Sequence, residues 1–131
     1  MAPQTSLTIL VIDDDPGVVR GLAWLLGRDG HTVDTAANGQ QALGLLSEHA
    51  YDLLLCDLRM PDLDGAILYG LLLLQHPSLC QRVIFLTGDI LRAESLVFLE
   101  RSGQPWIPKP FTAAHVRSAV AQLLRTRKAA D

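Results

Sequence analysis

The strongest constraint on this chain is an alternation, repeated five times, between short apolar runs and segments with the period of an amphipathic helix. Leu7–Ile12 is continuous and apolar, as strands buried on both faces of a parallel sheet are. Asp15 then precedes Pro16, the favoured order of N-cap and first helical residue. Val18, Leu22, Leu25 and Leu26 fall on one face of that helix, which Gly30 closes. His31–Ala36 reads as a second strand ending at the turn signal Asn38-Gly39, and Gln40–His49 as a second helix with Ala42, Leu45 and Leu46 inward. Tyr51–Asp57 is a third strand, and Asp64 caps a helix over Gly65–Gln75 that stops at His76-Pro77. Gln81–Leu86 is a fourth strand, followed by a helix over Leu91–Ser102 with Gly103 as terminator. Pro105–Pro108 carries two prolines without ladder donors, so it belongs at a sheet edge. Thr112 caps a last helix reaching about Arg127, with Val116, Val120, Leu123 and Leu124 inward.

This pattern predicts an α/β fold of the (βα)5 type, a doubly wound parallel five-stranded sheet. Right-handed crossovers place helices on both faces and open a crevice at the carboxyl ends of the strands. At 131 residues the chain is expected to form one domain, with a core over about residues 7–127. A net charge of −3 sets it apart from basic nucleic-acid binders, and the cluster Arg125, Arg127, Lys128 suits the negative end of a helix dipole. No direct nucleic-acid partner is expected. No apolar stretch reaches the length of a membrane span, and Met1–Leu7 lacks the pattern of a secretion signal. Cys56 and Cys80 lack CxxC spacing, and a reduced, cytoplasmic setting is expected.

Four apolar runs end on chemically capable residues: the first on Asp13-Asp14-Asp15, the third on Asp57, the fourth on Thr87 and the fifth on Lys109. In a parallel sheet all of them emerge at one edge. Asp15, beside Pro16, is accounted for as a cap, whereas Asp13 and Asp14 precede it at the strand end. Two carboxylates facing Asp57 repel by roughly 4 kcal/mol per pair at ~4 Å and an effective dielectric of ~20. Such crowding calls for a cation, and all-oxygen ligands select a hard one such as Mg²⁺. Asp57 is the expected nucleophile, able to form an aspartyl phosphate once the phosphoryl oxygens are neutralised. Lys109 supplies a point charge, Thr87 a hydroxyl donor, and Gly88 leaves the approach open.

The motifs VIDDDP, LLLCDLRMPDLDG, FLTGD and PKPF, in this order and spacing, resemble the receiver domain of two-component response regulators over about Leu7 to Leu124. The resemblance implies a flavodoxin-like sheet of order 2-1-3-4-5 and phosphorylation of Asp57. It implies Mg²⁺ held by Asp14, Asp57 and the backbone carbonyl of Arg59, with Asp13 acting through water, and a cis Lys109-Pro110 bond. It also implies that Thr87 couples the phosphoryl group to the aromatic position of the fifth strand, Trp106 here, shifting the face formed by helix 4, strand 5 and helix 5. Tyr or Phe is usual at that position, and the bulkier Trp, a donor only, puts a full inward swing in question.

Arg59 and Asp89, each two residues beyond a site residue, are expected to pair over the site mouth and slow entry of hydrolytic water. Trp24 projects about 200° from Leu22 on the first helix, away from the apolar stripe, and reads as an anchor for the histidine-bearing partner. Leu71 to Leu74 cannot all face the sheet, and the surplus apolar surface suits self-association or a neighbouring domain. His31, His49, His76 and His115 have neither metal spacing nor a kinase phosphoacceptor motif, so the donor is expected to be a separate histidine kinase or histidine phosphotransfer protein. The run TGD…FLERSGQP…KPF looks most like receivers attached to hybrid sensor kinases, which leaves a hybrid-kinase or output partner open. Two alternatives compete with a phosphoryl-accepting switch that is not a stand-alone enzyme. An aspartate-nucleophile phosphatase would place DxD after the first strand and needs a cap insertion that this chain has no room for. A receiver kept only for protein interaction would not need every acid, hydroxyl and ammonium position filled.

Overall fold

A computed structural model describes residues 6–88 and 92–130, with side chains described as far as residue 125. The strands are β1 (Thr8–Ile12), β2 (Thr32–Ala36), β3 (Leu53–Asp57), β4 (Val83–Thr87) and β5 (Trp106–Pro108). The helices are α1 (Pro16–Arg28), α2 (Gly39–Glu48), α3 (Gly65–Gln75), α4 (Ala93–Ser102) and α5 (Ala113–Ala130). All strand pairs are parallel, in the order β2-β1-β3-β4-β5. This is the flavodoxin-like order, and the proline-bearing strand lies at an edge.

Period-two alternation divides the core into two halves. Leu10, Ile12, Leu54, Cys56 and Phe85 pack on one face of the sheet, with Leu46 of α2, Leu68 and Leu72 of α3 and Leu99 of α4. Ile9, Val11, Leu53, Leu55, Ile84 and Leu86 pack on the other, beneath Leu22 and Leu26 of α1 and Val116 and Val120 of α5. β3 and β4 are buried at every position, which is why they read as unbroken apolar runs.

Several ends are set by local chemistry. The Asp15 carboxylate accepts from Gly17 N, that of Asp64 from Ile67 N, and the Thr112 hydroxyl from His115 N. Gly30 (φ 97°) and Gly103 (φ 69°) supply the left-handed residues behind α1 and α4. Other ends differ from expectation. Asn38 caps α2 by accepting from Gln41 N, so the helix begins at Gly39 and ends at Glu48. A short 3₁₀ helix over Pro77–Arg82, burying Leu79 and Cys80, takes the residues before β4. β4 accordingly starts at Val83 rather than Gln81 and runs through Thr87, which pairs with Pro108. α4 is described from Ala93; Asp89, Leu91 and the side chains of Arg127 and Lys128 lie outside the described residues. Among the described residues no helix is long and apolar enough to cross a membrane.

Candidate functional site

Because parallel strands finish at one edge, the acids at the ends of β1 and β3 meet the ammonium that follows β5. Register sets the meeting: Ile12 lies beside Cys56, Asp57 beside Leu86, and Thr87 beside Pro108. Asp13 is fully buried, Asp57 nearly so, and Asp14 is exposed at the rim. Carboxylate oxygens from the three lie within 4.8 Å of one another. One oxygen of Asp13 accepts from Asp15 N at 2.9 Å, which pins it, while the other faces Lys109 Nζ at 2.6 Å. The same ammonium reaches Asp57 Oδ1 at 3.5 Å. Lys109 is therefore shared, and it sits nearer Asp13 than the residue expected to carry the chemistry.

The β3–α3 loop closes over Asp57. Arg59 N donates to Asp57 Oδ1 at 3.4 Å, and Gly65 N donates to Leu58 O at 2.8 Å. A Cβ at Gly65 would lie 2.7 Å from Asp57 O and 2.9 Å from Leu58 Cα, so only glycine lets α3 start this close to the strand end. Lys109 N donates to Thr87 O at 2.8 Å, carrying the β5 end over the fully buried Thr87. The Lys109-Pro110 bond that follows is cis.

Burial, and next the Asp13 carboxylate, push the Asp57 carboxyl up to about 7, against the opposing pull of Lys109 and the Arg59 N–H. For Lys109, burial disfavours the charge, yet the Asp13 and Asp57 carboxylates outweigh it and raise the ammonium above its ordinary value. Three acids against one ammonium make a site short of positive charge. Its donor set is oxygen only and its opening is at Asp14, which suits a small hard divalent ion.

A family model for the response regulator receiver domain matches residues 9–121. The chain belongs to that family. Curated relatives of this receiver include the transcriptional regulatory protein CreB of Escherichia coli, 30% identical over 92% of this chain and 52% of CreB. The alkaline phosphatase synthesis regulator PhoP of Bacillus subtilis is 31% identical over 89% of this chain and 48% of PhoP. The receiver thus spans about half the length of these regulators. Among solved structures, a receiver domain protein from Clostridium thermocellum superposes with a TM-score of 0.82 at 27% identity, covering 95% of this chain and 98% of that one. A CheY-like receiver from Methanospirillum hungatei gives 0.87 at 23% identity over 97% of this chain and 100% of that one, a likeness of fold. A receiver is the phosphoacceptor switch of two-component signalling, and the acids of this one gather where such a switch needs them.

The remaining expected residues are dispersed around the receiver. Trp24 is 64% exposed on α1, with the Arg28 guanidinium 5.3 Å from its ring centroid. It borders an open, mainly apolar groove of about 670 Å³ between α1 and the β5–α5 loop, lined also by Val18, Leu22 and Phe111 and ending at Lys109. Trp106 is 38% exposed and so lies outward on β5. Asp89 lies outside the described residues; the partner described for Arg59 is Glu94 of α4, at 3.8 Å, which Arg92 also approaches at 3.3 Å. Glu94 gives no local signal in sequence beyond its place in a first helical turn. Asp62 is a second addition, accepting from Gly39 N and Gln40 N and so tying the β3–α3 loop to the start of α2.

Proposed function

We propose that Asp57 is the phosphoacceptor and that a phosphorylated histidine of a kinase or phosphotransfer protein is the donor. An Asp57 oxygen attacks phosphorus, the P–N bond breaks, and the imidazole leaves with the bonding electrons. The observation that carries this reading is the burial of Asp57 beside Asp13, Asp14 and the Lys109 ammonium. Asp14, Asp57 and the Arg59 carbonyl would hold Mg²⁺, with Asp13 acting through water. That ion supplies charge neutralisation for the phosphoryl oxygens and favours the ionised, nucleophilic form of Asp57. Lys109 gives up its contact with Asp13 for a phosphoryl oxygen, and the Thr87 hydroxyl donates to another. Trp24 and the apolar groove beside Lys109 form the face on which the donor docks, so the incoming histidine arrives in line with Asp57.

On the output side, Thr87 biases the α4–β5–α5 face, with Trp106 as its surface reporter, toward a state that an effector partner reads. Arg59, held by Glu94, stands at the site mouth and tunes the lifetime of the phosphoryl group. The chain catalyses its own phosphorylation and slow dephosphorylation, in the cytoplasm, and no other reaction. Intact-mass analysis after incubation with acetyl phosphate tests the central claim. The wild type should gain one phosphoryl group with Mg²⁺ and lose the gain with chelator, and Asp57→Asn should gain none. An unmodified wild type with every donor tried, or an adduct that survives Asp57→Asn, would overturn it.

A further inference from the structure

The loop from Leu58 to Asp64 is closed on itself and then fastened to a different helix. Gly65 N donates to Leu58 O at 2.8 Å, which joins its two ends. Leu58 and Met60 are buried in the half of the core shared by α2, α3 and α4, and Leu63 packs against the same half. Arg59, between two buried neighbours, is exposed. Its N–H reaches Asp57 Oδ1 at 3.4 Å, longer than the usual range for such a bond, so a small displacement of this peptide makes or loses it.

The far end of the loop is held by α2. The leading N–H groups of a helix have no partner within it. In α2, Asn38 Oδ1 takes Gln41 N at 2.8 Å. The other two N–H groups of that turn, Gly39 N and Gln40 N, donate to the two oxygens of Asp62 at 3.3 and 3.2 Å. One carboxylate thus serves two donors at the positive end of a helix of 10 residues, where negative charge is favoured. Leu63 closes on the same turn, since a Cβ at Gly39 would lie 2.5 Å from Leu63 Cβ. Pro61 has a fixed φ and restricts Met60 before it, so the segment from Arg59 to Asp62 transmits a displacement rather than absorbing it.

We propose that Asp62 is a positioning residue of the phosphoacceptor site: its grip on the first turn of α2 sets the Arg59 peptide against Asp57. The inference rests on the reading of Asp57 as phosphoacceptor and of the Arg59 carbonyl as a Mg²⁺ ligand. Asp62 acts through the backbone of Arg59 and not by contact with the reacting groups. A carboxylate suits this role and an amide does not, because asparagine offers one oxygen and turns an NH₂ toward the second donor. Helix α2, which supplies no side chain to the site, is then part of what keeps the site in shape.

Asp62→Ala compared with Asn38→Ala tests the proposal. Each removes a partner of the first turn of α2 and should lower stability to a similar extent, but only Asp62→Ala frees the loop. Calorimetric titration with Mg²⁺ alone should show binding about fivefold weaker in Asp62→Ala, less than the ~10–100-fold lost when a group bonded directly to a ligand is removed. Asn38→Ala should bind as the wild type does, and Asp62→Asn should fall between. Gly39→Ala, a better helix former whose Cβ drives Leu63 off α2, should also weaken binding. In metal-free protein, hydrogen exchange at the Arg59 amide should quicken in Asp62→Ala and Gly39→Ala but not in Asn38→Ala. Unchanged Mg²⁺ affinity and Arg59 exchange in Asp62→Ala, or equal losses in Asp62→Ala and Asn38→Ala, would overturn the proposal. A wild type that binds no Mg²⁺ would instead overturn the metal reading of the site, and the Arg59 exchange rates would then judge the positioning role alone.

Discussion

Replacing Asp57 by Asn should stabilise the metal-free protein, most at alkaline pH. Burial first, and the Asp13 charge second, raise the Asp57 carboxyl from an ordinary 3.8 to about 7 in the folded chain. A carboxyl raised on folding favours the native state fully below its unfolded value, and the benefit fades until it is gone above the folded value. The unfavourable window is therefore about pH 4 to 7. At 1.36 kcal/mol per pKa unit, the wild type above pH 7 bears a cost of roughly 4 kcal/mol at most. The neutral, near-isosteric amide avoids it. For a chain of this length that corresponds to a melting temperature higher by about 10 °C. Thermal melts of wild type and Asp57→Asn in chelator at pH 4 and pH 8 measure the gap, which should fall below about 1 kcal/mol at the acid end. Saturating Mg²⁺ at pH 8 should narrow it by stabilising the wild type more than the variant. An Asn variant no more stable than wild type at pH 8, or a gap independent of pH, would refute the electrostatic account of the site.

Gly65→Ala should destabilise by about 2–3 kcal/mol in urea unfolding, because its Cβ meets the backbone of Asp57 and Leu58, while Gly21→Ala, with nothing within 4 Å on α1, should gain about 0.5–1 kcal/mol. Trp106 fluorescence should change on addition of Mg²⁺ and beryllofluoride, and an unchanged spectrum would count against coupling between Thr87 and β5. Arg59→Ala and Glu94→Ala should both shorten the half-life of the phosphorylated form at least twofold; equal half-lives would remove Arg59 from lifetime control.

The strands were legible because β3 and β4 are buried on both faces and leave no polar residue to interrupt the run. The site was legible for a related reason: parallel strands bring their ends to one edge, so Asp13, Asp57, Thr87 and Lys109 could be placed together without knowing any loop. What escaped reading depends on contacts across the fold. The start of α2, capped by Asn38, is also tied down from a distance: Asp62, more than twenty residues on, accepts from Gly39 N–H, and a Cβ at Gly39 would collide with Leu63. The 3₁₀ turn at Pro77–Arg82 has no period of its own and is held by burying Leu79 and Cys80. That Lys109 sits closer to Asp13 than to Asp57, and that Arg59 turns toward Glu94, are questions of side-chain reach that spacing does not encode.

The sheet that divides the core also partitions what mutation can alter. Ile9, Val11 and Leu55 belong to the compartment under α1 and α5, while their neighbours Leu10, Ile12 and Cys56 belong to the one under α2, α3 and α4. Substitutions in the two compartments share few partners, so their energetic effects should sum with little interaction. If the donor docks at Trp24 as proposed above, its preference can drift by repacking in the α1–α5 compartment while the side facing α4 keeps its shape, a route by which duplicated copies could become insulated from each other's phosphoryl donors.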